Sequence, residues 1–110
     1  MIRETITKIE SKLQQSSAVG PESRQELLDL LAQLKTEIGT LAESNARQAE
    51  AIAGHTELST REAISEQKNP ELLQRSLNEL SASVDGFESS HPRLVEIVNR
   101  IATTLSNLGI

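Results

Sequence analysis

The sequence predicts an all-α chain, an antiparallel helical bundle or long helical hairpin with coiled-coil-like seams, and three observations carry that expectation. Leucine and isoleucine recur at alternating steps of three and four along most of the 110 residues, the spacing that gathers apolar side chains on one face of a helix. Phe87 is the single aromatic residue, so a core must be made of Leu, Ile, Val and Ala, and no stretch shows the β-branched and aromatic alternation of strands. Each of the three prolines stands just before an apolar-periodic run, where a residue with fixed φ and no N–H begins a helix at no cost in hydrogen bonds. One domain, residues 1–110, is expected at this length.

Ile2, Ile6, Ile9 and Leu13 step by four, three and four, which predicts a first helix over about 2–16. It stops before Gly20 and Pro21, a pair that permits a turn. Ser23 and Glu26 have the spacing of a capping box, and Leu27, Leu31, Leu34, Ile38 and Leu41 then hold a strict heptad-like register. The same count continues through Asn45, Gln48 and Ile52, while the surrounding alanines keep helix propensity high. The expectation is therefore one helix over about 23–53, closed by Gly54. At 1.5 Å per residue it would be about 45 Å long, and its distal half would protrude or pair with another chain.

Residues 55 to 68 are the least legible. Ser59 and Glu62 match another capping box, which predicts a short helix at about 60–68 with Ala63 and Ile64 to bury. Asn69 and Pro70 form a clean start, and Leu73, Leu77, Leu80, Val84 and Phe87 extend the next helix over about 70–89. Pro92 takes His91 out of helical conformation. Leu94, Val98, Ile101, Leu105 and Leu108, broadened by Val95, Ile97 and Ala102, give the last helix, about 92–108, the widest apolar face of all.

The net charge is −5, and residues 21 to 58 hold three basic against seven acidic side chains, a local charge of −4. Nucleic acid is an unfavoured partner for such a surface unless Arg61, Lys68 and Arg75 gather on one face. Cysteine is absent, which excludes disulfides and thiolate metal sites. No apolar run is long enough to span a bilayer and no leader pattern opens the chain, so a soluble, cytoplasmic, non-membrane protein is expected.

Chemistry is sparse. Glu88 and His91 reproduce the Glu-x-x-His spacing of di-iron bundles, but one copy is present where two are needed, and Pro92 breaks the helix at the histidine. A capping role for His91 is the expectation, with a metal-binding bundle as the third-ranked reading. Neither histidine has a serine and carboxylate set around it, and no glycine cluster resembles a phosphate loop. The sequence thus predicts no enzyme, no catalytic residue, no metal ligand and no cofactor. What it offers instead is association through seam residues that one chain cannot cover: Leu27, Leu31, Leu34, Ile38, Leu41, Asn45 and Ile52. Asn45 either lies buried in that seam, selecting register and oligomer, or faces water where the stripe ends. The leading expectation is a homo-oligomer, a dimer above all, serving as a structural or adaptor module with a protein partner that the sequence does not name. A regulatory or nucleic-acid-associated protein acting through a partner is the alternative.

Phe87, Glu88, His91, Pro92 and Leu94, followed by the ending Leu105, Leu108, Gly109 and Ile110, resemble the signature of a small bacterial family known as domain of unknown function 4404. The resemblance is close over residues 84–110 and loose over the Leu-rich stretch 24–41, with surplus length around 42–68. It implies a small, soluble, bacterial helical protein and carries over no catalytic or ligand residue.

Overall fold

A computed structural model describes residues 2–109 as five helices: α1 (Ile2–Gln15), α2 (Pro21–Ala42), α3 (Ala46–Ala63), α4 (Pro70–Ala82) and α5 (Pro92–Gly109). No strand occurs among the described residues, and Ile110, the last residue of the C-terminal motif, lies outside them. The three prolines each occupy the first helical position, so the helix starts at 21, 70 and 92 share one cause. The second helix accordingly begins at Pro21, two residues ahead of the expected start, with Gly20 as an extended N-cap and no side-chain capping bond. The Ser23–Glu26 box is thereby made redundant, because both residues already lie inside the first turns. At Pro70 the expected cap does form, the Asn69 side chain accepting from the Leu72 N–H at 3.2 Å.

The expected helix over 23–53 is two helices. After Ala42 the backbone tightens, with N–H groups of Glu43 and Ser44 reaching back only three residues to Thr40 and Leu41, and Asn45 leaves helical space at φ −136°, ψ 58°. Burial is the physical reason. A straight helix of about 45 Å exceeds the longest dimension of the molecule, 37 Å, whereas folding back at 43–45 brings Ala49, Ile52 and Ala53 into the core with the α2 leucines. Gly54 is inside α3, not at its end, and the expected helix at 60–68 dissolves into the last turn of α3 and a loop, residues 64–69. Ser59, read as a cap, is fully buried in mid-helix. The helix expected over 70–89 ends at Ala82 and passes into turns; Gly86 at φ +94° supplies the left-handed residue that lets the chain turn there.

The helices close a ring in the order α1, α2, α5, α4, α3 and back to α1, and α3 also touches α2 and α5. Cross-links give the directions. Lys35 pairs with Glu10 at 3.0 Å while Arg24 donates to the Leu13 carbonyl, so α1 and α2 are antiparallel. Arg93 approaches Glu37 and Thr104 approaches Glu26, so α2 and α5 are antiparallel too. The radius of gyration, 12.9 Å, equals the roughly 13 Å expected of a globule of this length, so the elongated hairpin is not the form adopted. One apolar cluster runs from Ile6 to Leu105 through all five helices.

Candidate interaction surfaces

The seam singled out in the sequence is inside. Leu27, Leu31, Leu34, Ile38, Leu41 and Ile52 are each at most 1% exposed, covered by this chain's own helices, because α2 lies between α1, α3 and α5. At roughly 2 kcal/mol per buried leucine or isoleucine, exposing them to reach a second chain would cost more than the fold can spare. Asn45 is the exception. It is half-buried in the α2–α3 turn, its N–H donates to the Leu41 carbonyl at 2.8 Å, and its Oδ1 accepts from Ser44 Oγ. Its side chain makes no capping bond to α3.

Glu88 and His91 each engage a local partner, Gly86 and Ser90 respectively. Glu88 Oε2 accepts from the Gly86 N–H at 2.7 Å. His91 accepts no helix on its N-terminal side: its N–H donates to Phe87, its carbonyl takes the Val95 N–H, and its ring stands edge-on to Phe87 at 5.7 Å. This is the work of a helix start. Among the described residues no group of three or more His, Asp or Glu side chains comes together as metal ligands. The basic residues do not form a patch either. Arg61 lies 3.9 Å from Glu57, Lys68 donates to the Leu108 carbonyl at the end of α5, and Arg75 is exposed on α4 beside Glu71 and Glu79 in the helical repeat.

Two surface features stand out among the described residues. The first is a groove between α2 and α5, in two lobes of about 470 and 360 Å³ that share Glu26 and Arg100. Its walls carry Glu22, Asp29 and Glu96 beside those two residues, with Thr104 at the floor donating to the Arg100 carbonyl. The groove is shallow and acidic, and across it the Thr104 hydroxyl also approaches Glu26 Oε1 at 3.3 Å. The second is on the other side of the ring. Leu58 of α3 and Leu72 of α4 are 39% and 43% exposed, large apolar side chains left in solvent. A His55–Glu79 approach of 3.9 Å and the loop joining Ala63 to Pro70 set α3 and α4 antiparallel, and this register places Leu58 opposite Ser76 and Leu72 opposite Glu62.

The periodicity of leucine did not reveal the buried hydroxyls. Thr56, Ser59 and Thr60 on α3, Ser76 on α4 and Thr104 on α5 are at most 8% exposed. Thr56 and Thr60 return their hydroxyl protons to carbonyls four residues back, at 2.8 Å, the standard way to bury such a group in a helix. The signal was present as a heptad-like series of small residues, Ala49, Ala53, Thr56, Thr60 and Ala63.

No helix among the described residues is long and apolar enough to cross a membrane. A family model described as Domain of unknown function (DUF4404) matches residues 2–110, a span that takes in α3 and the 42–68 segment as well as the C-terminal motif. Comparison with curated proteins and with solved structures gives no match.

Proposed function

The chain belongs to the DUF4404 family, and from that premise we propose that it is a self-associating helical module with a structural or adaptor role, working in the cytoplasm by protein–protein contact and not as an enzyme. The observation that carries this reading is the pair of exposed leucines, Leu58 and Leu72, on the adjacent helices α3 and α4. Among the described residues the other large apolar side chains are buried in the core or partly buried against it, so these two are where a partner gains most from desolvation. In this reading the contact lies on the outer side of α3 and α4, and a second copy of the chain is the first occupant. Two leucines bury little area, so the complex is weak and exchanges readily.

Sedimentation velocity across a wide concentration range tests it. The native chain is expected to show concentration-dependent dimer, and a Leu58→Glu, Leu72→Glu double variant is expected to lose most of it without loss of helicity. A chain that remains strictly monomeric at the highest concentration sinks the self-association reading.

A further inference from the structure

We propose that the α2–α3 turn is a hinge, and that straightening residues 43–45 into continuous helix lets the chain exchange its α3–α5 half with a second copy. The apolar register does not stop at the turn. Leu34, Ile38, Leu41, Asn45, Gln48 and Ile52 step by four, three, four, three and four across it, as a single helix would. Nothing in the turn resists helix: residues 40–53 contain neither glycine nor proline, and no residue other than glycine has positive φ among the described residues. Glu43 is already helical at φ −62°, ψ −32°, so Asn45 is the residue whose backbone departs most. Nor does the Asn45 side chain reward the bend with a cap on α3, although asparagine is a residue type that caps well.

The bend is thus held mainly by tertiary packing, with one local bond from Ser44 Oγ to Asn45 Oδ1, and a second copy supplies the same packing. In the exchanged dimer α1 and α2 of one chain meet α3, α4 and α5 of the other, so every core contact is rebuilt while the strand of backbone between them becomes one helix of about 65 Å. Short hinge segments with two allowed conformations are the ordinary origin of such exchange. The inference rests on the self-association reading for its second copy but does not use the Leu58 and Leu72 face, so the hinge can fail while that face stands.

The experiment combines hinge variants with a cross-link. Asn45→Ala favours continuous helix by about threefold per hinge, so with two hinges the dimer is expected to tighten roughly tenfold. Ala46→Pro fits the bent form, because residue 46 is the first helical position of α3, and disrupts a continuous helix; it is expected to keep native circular dichroism and to lose the exchanged dimer, whatever contact the leucine face makes. Glu37 and Arg93 approach within 3.9 Å across α2 and α5, and the chain has no cysteine of its own. A Glu37→Cys, Arg93→Cys variant, refolded at high concentration and treated with a short bis-maleimide, is expected to link two chains covalently when the half is exchanged. A dimer whose cross-link stays within each chain, and which the leucine double variant abolishes, overturns the hinge and keeps the leucine face. An Ala46→Pro chain carrying the same cysteine pair that still links two chains covalently also overturns the hinge. Strict monomers from both the native chain and Asn45→Ala remove this inference and the self-association reading together.

Discussion

α2 and α3 are neighbours joined by three residues, and both are buried along one face, yet they are buried in opposite ways. α2 inserts six large side chains, Leu27, Leu30, Leu31, Leu34, Ile38 and Leu41. α3 inserts one, Ile52, and otherwise offers Ala49, Ala53, Thr56, Ser59, Thr60 and Ala63. Yet α3 is the helix that touches all four others. Small side chains let backbones approach closely, so the helix with the least apolar volume is the one that can stand where the others converge. α2 stabilises by transfer of hydrocarbon from water; α3 stabilises by close packing, and its three hydroxyls are tolerated because two of them bond within the helix.

The largest expected effect tests the α2 side of this contrast. Leu34→Asp places an unpaired charge at a fully buried position and is expected to cost about 4–5 kcal/mol or to prevent folding; a urea midpoint equal to that of the native chain would refute its burial. On the α3 side the sensitive direction is reversed. Ala53→Leu is expected to cost about 1–3 kcal/mol by overpacking, and the contrast fails if thermal melting shows the larger side chain to be accommodated without loss.

Two smaller substitutions sharpen the picture because both should stabilise. Ser59 Oγ is buried with no hydrogen-bond partner, so Ser59→Ala removes an uncompensated polar group and is expected to raise stability by about 1–2 kcal/mol. A lower melting temperature for that variant would mean the hydroxyl has a partner after all. Gly54 sits in mid-helix, where a Cβ would meet nothing within 4 Å. Gly54→Ala is expected to add about 0.5–1 kcal/mol from helix propensity alone, and a destabilised variant in denaturant titration would show that α3 has a close neighbour at that point.

Arg24 ties the first connection together in a way no periodicity suggests. Its guanidinium donates to the carbonyls of Leu13, Ser16 and Val19, satisfying acceptors that the end of α1 leaves open. Lys68 does the same for Leu108 at the end of α5. Both were legible as basic residues and neither as a helix cap, because the carbonyl each one meets is many residues away in sequence.

The candidate surface was the part least open to sequence reading. Leu27, Leu31 and Leu34 carry the spacing of an interface, but spacing says only that a stripe must be buried, and the same stripe serves an internal core or a second chain equally well. Leu58 and Leu72, by contrast, fall outside any leucine register, so nothing in their spacing marked them as the ones left in solvent.

Sequence alone determined the class of structure, the three proline starts, and the membership of Ile6, Leu34, Leu77 and Leu105 in a core, since each follows from local propensity and period. Tertiary structure decided where α2 stops. Residues 43–45 are compatible with helix, and only the gain from folding α3 back against four neighbours, set against continuing into water, converts a heptad that runs unbroken through Asn45 into a turn.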